Sequence, residues 1–378
     1  MITPDPAAAA RLRLLADDLT GALDTAAEFV PAFGPVRVGW GAPRVLGGAA
    51  VAFDVASREI AASDAETRVG EAAGLVELGA AEIAYLKLDS LLRGHGAREI
   101  AAAFRVGGFE RAIVAPAFPY QKRVTRDGRQ WAPIDGTWTA TGEDLAAGLE
   151  ALGLAVAVAR PGETPRPGVT IFDAETDADL AAIAAAVRAD PARRVLWCGS
   201  GGLAGALARA PAALPAAPRL EAPILGLFGT DHPVTRRQLG RLGDTALRLP
   251  DGGEAAAARL RERLARTGTA FVDFDLPVLD RGEAKRLIAR EMDRIVARLA
   301  PPGTLVAGGG ETLRAIADGL GATALDVIGR IVPGVPVARM VGGRWDGVAV
   351  VSKSGAFGDP DFLARLVGTV PADDACRI

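Results

Sequence analysis

Short apolar runs of strand length alternate with alanine-rich stretches of helical length, and this alternation limits what the chain can fold into. The runs fall at residues 12–16, 36–38, 51–55, 83–88, 112–115, 169–172 and 195–198. Between them lie helical segments such as the one that continues to Phe29, and those at 65–78 and 180–189. A strand that is apolar along its whole length has both faces covered, and strands separated by helices pair in parallel, because the crossover returns the chain to the same end of the sheet. The expected class is α/β, with mostly parallel sheets and helices on their faces.

The same alternation resumes late in the chain, with strands expected at 224–228, near Leu247, at 270–273, 304–307 and 348–352, and helices from Val234, at 281–299 and at 312–320. The intervening stretch 211–223 is rich in proline, which lacks the amide hydrogen that a helix or ladder needs. With 378 residues, two α/β domains are expected at 1–210 and 224–378, joined by a linker at 211–223, with a small-molecule site in the cleft between them.

Composition removes several functional classes. The 43 basic and 46 acidic residues leave a formal net charge of −3, so no global field draws in a phosphate backbone or an anionic membrane; neither nucleic acid nor membrane is an expected partner. No apolar stretch reaches the ~20 residues that span a bilayer, and residues 1–10 carry no cationic signal region, so a cytoplasmic protein is expected. Cys198 and Cys376 stand in no paired or metal-ligand spacing, and His95 and His232 are too far apart in sequence to suggest a zinc site. A homo-oligomer is compatible with everything above. Lysine is scarce: Lys87, Lys122, Lys285 and Lys353 are the only ones, which gives each some weight as a compact ammonium.

Chemistry-bearing residues gather where strands end. Asp17 and Asp18 follow the first strand and Asp24 sits in the helix behind them; a helix cap explains one carboxylate and not both. Ser57 and Arg58 follow the third strand. Lys87, Asp89, Ser90 and Arg93 follow the fourth, where an arginine flanked by glycine suits bidentate capture of a carboxylate. Arg123 and Thr125, after the turn at 116–119, offer similar chemistry. In the second half, Gly308, Gly309 and Gly310 precede Glu311, Thr312 and a helix, so backbone amides and a helix N-terminus converge where phosphate binds well. Lys353 and Gly355 form a second glycine-flanked strand end, which is not a P-loop because Ser352 precedes the lysine. The loop 199–204 fits a loose dinucleotide pattern, yet the chain then enters the proline-rich stretch in place of a strand ending in an acid.

Taken in order, residues 16–25, 87–94, 115–119, Arg123 to Thr125 with Gly128, 199–204, 308–312 and 353–358 resemble the four-carbon acid sugar kinase family across nearly the whole chain. The chain departs from the family pattern at Leu23 and Leu91, after Trp131, where it is short, and at His232, in place of a small residue. The resemblance implies an N-terminal domain that binds a sugar acid, a C-terminal domain that binds ATP, and Mg²⁺ on the nucleotide, with no identifiable metal ligand. One of Asp18, Asp17 and Asp89 would then be the catalytic base, with Asp18 and Asp17 foremost. The resemblance places Asp24, Ser57, Arg58, Lys87, Asp89, Ser90 and Arg93 around the acid, with Arg93 and Arg58 on its carboxylate. His232, Gly308, Gly309, Gly310, Glu311, Thr312, Lys353 and Gly355 are then the nucleotide contacts. Lys87 and Lys353 are expected to face the interdomain cleft, and Lys285 to be a plain surface residue. The competing readings are a nicotinamide-dependent oxidoreductase built on the 199–204 loop and a two-domain binding protein without catalysis.

Overall fold

The computed structural model describes residues 10–42, 44–189, 194–208, 219–230, 232–275 and 280–368. The chain divides into two compact units, residues 1–216 with 327–329 and residues 217–326 with 330–378. Of the linker expected at 211–223, residues 211–218 lie outside the described residues.

The first unit contains β1 (Leu12–Ala16), α1 (Leu19–Phe33), β2 (Val36–Trp40), β3 (Ala50–Asp54), α2 (Ala62–Leu75), β4 (Ile83–Lys87), α3 (Gly96–Gly107) and β5 (Arg111–Ala115). A meander of β6 (Val124–Arg126), β7 (Arg129–Ile134) and β8 (Thr137–Ala140) follows. The unit ends with α4 (Leu145–Ala151), β9 (Val156–Ala159), β10 (Gly168–Phe172), α5 (Asp177–Ala189), β11 (Val195–Gly199) and α6 (Gly201–Ala208). Eight strands pair in parallel in the order β2-β3-β1-β4-β11-β5-β10-β9. Their apolar runs supply the core: Leu15, Phe53, Leu86, Val114, Ile171 and Leu196 are all buried, packed with Val69, Ala72, Ile100 and Leu149 from α2, α3 and α4. On this core alone the strands need no alternation, which is why they are continuous apolar runs.

The chain leaves β1 toward one end of the sheet, through α1 to β2, and leaves β4 toward the other, through α3 to β5. Between β1 and β4 the direction of winding reverses, and in open α/β sheets the crevice at the carboxyl ends of such a pair is where ligands bind. The antiparallel meander turns at Asp127-Gly128 and Asp135-Gly136, all four in the left-handed region (φ 49°, 73°, 50° and 81°). Two successive left-handed residues make the type I′ turn that suits a two-residue hairpin.

The second unit contains β12 (Ile224–Phe228), α7 (Pro233–Arg241), β13 (Ala246–Leu249), α8 (Glu254–Thr267), β14 (Thr269–Phe274), α9 (Arg281–Val296), β15 (Thr304–Gly308) and α10 (Gly310–Leu320). It ends with β16 (Ala324–Arg330), apart from the residues 327–329 that group with the first unit, and with β17 (Pro336–Val341), β18 (Ala349–Lys353) and α11 (Phe362–Leu366). Strands β13-β14-β12-β15-β18 are parallel, and β17 runs antiparallel to β18 with β16 beyond it. Winding reverses again, between β12 and β15. Among the described residues no helix is long and apolar enough to cross a membrane.

Candidate functional site

Register brings the expected acids and bases of the first unit to one edge. Ala16 lies level with Asp54 and Lys87, Lys87 with Gly199, and Gly199 with Ala115, so the residues that follow all leave the sheet together. Asp18 caps α1, its Oδ1 accepting from the Gly21 amide at 2.9 Å. Arg58 accounts for the second carboxylate. Its Nε and Nη2 donate to Asp17 at 2.6 and 2.8 Å, and its Nη1 and Nη2 donate to Asp18 at 2.8 and 2.9 Å. Asp17 is enclosed, its side chain 3% exposed, whereas Asp18 is 28% exposed. Burial pushes the Asp17 carboxyl upward, the neighbouring Asp18 adds to this, and Arg58 opposes both.

Lys87 is buried on the same edge, and no room separates it from α1: a Cβ at Gly21 would lie 2.6 Å from Asp18 Oδ1 and 3.0 Å from Lys87 Nζ. Its ammonium makes no hydrogen bond or ion pair among the described residues, although its charge acts on Asp17 and Asp89. Asp89 is buried and takes Arg93 through Nε at 2.6 Å and Nη2 at 3.2 Å. Arg93 and the nearby cations hold its carboxyl well below the usual range against the opposing cost of burial. The Arg93 side chain is itself 62% exposed. Ser90 is buried; its hydroxyl accepts from Arg123 and its carbonyl from Gln130 Nε2 at 2.8 Å.

The structure places Asp24 on α1 beside Gly201, where a Cβ would lie 3.4 Å from Asp24 Oδ2, and buries Ser57 completely. Leu23 is also buried, so its apolar character belongs to the core and removes no polar group from an exposed site. Glu99 on α3, absent from the sequence expectations, is buried behind this cluster; its carboxyl is pushed up to about 8 by burial and by the charge of Asp17. The 199–204 loop is consumed by packing. Ser200 Oγ donates to the Ala117 carbonyl at 2.6 Å, and a Cβ at Gly202 would stand 2.7 Å from that same oxygen.

In the second unit, Phe228 lies level with Gly308 and Gly308 with Lys353, which gathers three loops at one edge. Gly309, at φ 99°, turns the chain into α10, whose N-terminus has no side-chain cap, so its first amides remain available to an anion. Thr312 is buried in that first turn, and Glu311 pairs with Lys285 of α9 at 2.8 Å. Lys285 is exposed, as expected of a surface residue, and its exposed partner Glu311 lies in the first turn of α10. His232 caps α7 through Nδ1, which accepts from the Val234 amide at 3.2 Å, and packs with Thr230 against Gly355.

Lys353 is buried completely, with its amine pulled down to about 8 by the loss of water. It donates to Thr235 Oγ1 at 3.2 Å and to the carbonyls of Ser354 and Phe357 at 2.9 and 3.1 Å. Thr235 in turn donates to the Gly355 carbonyl at 2.8 Å, and Gln238 Nε2 donates to those of Phe357 and Asp359 at 2.9 and 2.8 Å. Across a trans peptide the amide points opposite to the carbonyl. With the carbonyls of Ser354, Gly355 and Phe357 held inward, the amides of Gly355, Ala356 and Gly358 face away from the lysine. Lys353 therefore shapes the 354–358 loop from behind and spends its three donors within the protein.

Among the described residues no three His, Cys, Asp or Glu side chains are placed to hold a metal ion. The sugar-binding N-terminal domain family model matches residues 12–142 and 135–207, and the nucleotide-binding C-terminal domain model matches residues 225–363. The D-threonate kinase of Bordetella bronchiseptica is 32% identical over 94% of this chain and 96% of its own length. That of Cupriavidus necator is 34% identical over 93% and 95%. A solved Haemophilus influenzae structure shares the fold at a TM-score of 0.68 and 18% identity, covering 94% of this chain and 99% of that one.

Proposed function

The chain belongs to the four-carbon acid sugar kinase family and is an ATP-dependent kinase of a small sugar acid, and from this premise we propose that its acceptor is D-threonate, with Asp18 as the base. Both relatives are named for that acid and align along nearly their whole length. The observation that carries the nucleotide half of the reading is the inward hold on the 354–358 carbonyls, which leaves three amides for phosphate oxygens beside the N-terminus of α10. Gly308, Gly309, Gly310, Thr312 and Gly355 then contribute backbone or close approach, His232 lines the neighbouring loop, and Lys353 positions without touching.

Phosphoryl transfer asks the protein to position two anions and accept a proton. The acceptor hydroxyl oxygen forms a bond to the γ-phosphorus as the bond from that phosphorus to the β–γ bridging oxygen breaks. The electron pair leaves on ADP, and the hydroxyl proton passes to a carboxylate. Asp18 suits this role: it is the exposed member of the pair, and its Oδ2 takes a single bond from Arg58, which leaves a lone pair. Asp17 and Arg58 are enclosed or already occupied, and they serve as positioning residues for Asp18, while Ser57 is fully buried. Lys87, with unspent donors, faces the acceptor side with Asp24, Asp89, Ser90 and Arg93 around it. Mg²⁺ fits these residues as an ion carried on nucleotide phosphates and water, which it favours over an all-protein cage, since Asp17 and Asp18 already share a guanidinium. It would supply charge neutralisation on the phosphates.

ADP release, followed with D-threonate, its stereoisomers and D-erythronate, tests the assignment: turnover is expected to be greatest on D-threonate, and a higher kcat/KM on another acid replaces it. A thermal shift with ATP and none with NAD is expected, since the 199–204 loop is filled by its own packing. The reverse pattern would restore the oxidoreductase.

A further inference from the structure

Three arginines reach the carboxyl edge of the first unit, and their charges are not treated alike. Arg58 is matched by Asp17 and Asp18, and Arg93 by Asp89. Arg123 has no ion pair among the described residues. Its one hydrogen bond to a side chain among the described residues is to the Ser90 hydroxyl, and the loss of water pulls its guanidinium below the ordinary value against the charges of Asp89 and Asp24. A half-buried cation that is hydrogen-bonded once and ion-paired to nothing, with five N–H donors on a planar fork, keeps donors to spare for an anion.

The backbone around it is fixed for that purpose. Beyond β5 a single 3₁₀ turn (Pro119–Gln121) ends at Lys122, in the left-handed region at φ 55°, and an antiparallel bridge then pins Arg123: the Phe118 amide donates to the Arg123 carbonyl at 2.8 Å and the Arg123 amide to the Phe118 carbonyl at 3.2 Å. Opposite it, Gln130 of β7 holds the Ser90 carbonyl, and Thr125 Oγ1 orients Gln130 by donating to its Oε1 at 2.8 Å. Ser90 Oγ accepts from Arg123, which leaves its own hydroxyl proton to donate.

We infer that Arg123 and Ser90 form the receptor for the carboxylate of the acceptor, in place of Arg58 or Arg93, and so determine that the enzyme takes an acid and not a neutral polyol. This rests on the sugar-acid kinase reading. The guanidinium fork matches two carboxylate oxygens, and the serine hydroxyl adds a donor to one of them or to the adjoining hydroxyl. A neutral polyol would leave the half-buried guanidinium without its anion, and that kind of omission gives discrimination.

Calorimetric binding of D-threonate and of threitol, together with ADP-release kinetics, tests this on the wild type, Arg123→Met, Arg123→Lys and Ser90→Ala. Arg123→Met is expected to raise Kd and KM for threonate roughly 30- to 100-fold, as for loss of hydrogen bonds to a charged group, with KM for ATP unchanged and the preference for acid over threitol collapsed. Arg123→Lys, which keeps the charge and a donor for Ser90, is expected to recover part of the binding and guards against a folding defect. Wild-type threonate affinity in both Arg123 variants, or no threonate binding by the wild type, overturns the receptor. Arg123-dependent binding of threonate without ADP release upholds the receptor and overturns the kinase reading instead.

Discussion

Arg58 answers two carboxylates with one guanidinium, and removing it would leave Asp17 enclosed with no counter-charge in contact. Arg58→Met is therefore expected to lower the unfolding free energy by about 3–5 kcal/mol, read from urea denaturation, and adding Asp17→Asn should return part of that loss; a loss under about 1 kcal/mol would mean that the pair behaves as a surface bridge. Glu99 gives a pH signature. Its carboxyl stays protonated in the folded protein up to about 8, against 4.5 ordinarily. The folded state thus holds a proton that the unfolded chain has released, so this group's stabilisation is full below about 4.5 and declines as pH rises to about 8, by at most about 1.4 kcal/mol per pH unit. Glu99→Gln should flatten that part of the stability profile, and an unchanged slope would contradict the shift. The acids and bases at strand ends were legible because register carries successive strand ends to one edge. Their pairing was not: Arg58 could as well have waited for a substrate, and nothing local says that it closes on Asp17 across some forty residues of chain. Glu99 stayed hidden because its chemistry comes from burial, which no spacing displays.

At the scale of elements, the 354–358 loop depends on β18 and α7 for its shape, through Lys353, Thr235 and Gln238. Lys353→Met removes the donors that turn the Ser354 and Phe357 carbonyls inward, so KM for ATP should rise by roughly 10-fold or more, on the scale of one to two lost hydrogen bonds, while KM for the acid stays the same. Equal loss of both would mean that the lysine supports the fold more widely. The buried amine titrates near 8 and the exposed one near 10.5, so its contribution to stability rises with pH across that interval and is constant below it. Buried parallel strands were readable because they are plain apolar runs, and so were the strand-to-helix glycine turns. The meander β6-β7-β8 was missed although Asp-Gly stands at both of its turns, the local pair that two left-handed residues require. Its strands carry Arg126, Arg129, Gln130 and Thr137 among their apolar residues, so no apolar run marks them. That omission hid what places Gln130 against Ser90. Helix α3 was overlooked for a related reason: Gly96 and Gly107 bracket it and suggest loop, while its alanines and Ile100 build the helix.

For the whole molecule, each unit has a carboxyl edge at its own reversal of winding, and the two edges differ in chemistry: matched ion pairs beside Lys87 and Arg123, which make no ion pair among the described residues, in the first, and backbone amides in the second. The length and the proline-rich stretch suggested two domains, while the division of labour between them came only from the resemblance to the four-carbon acid sugar kinase family. Hydrogen exchange can separate them. Adding ATP alone should slow exchange at 308–312 and 354–358 and leave 17–21 and 87–93 unchanged, whereas D-threonate alone should protect 17–21, 87–93 and the segment around Arg123. A ligand at a hundred times its Kd adds about 2.7 kcal/mol to the state that binds it, ample for a visible shift in amides that open locally. Protection of the 354–358 amides by the acid alone would put the acid on the amide-lined edge and reverse the assignment. Protection of both edges by either ligand alone would show that the units respond as one body, and Arg93→Ala would then weaken ATP and threonate together instead of threonate only.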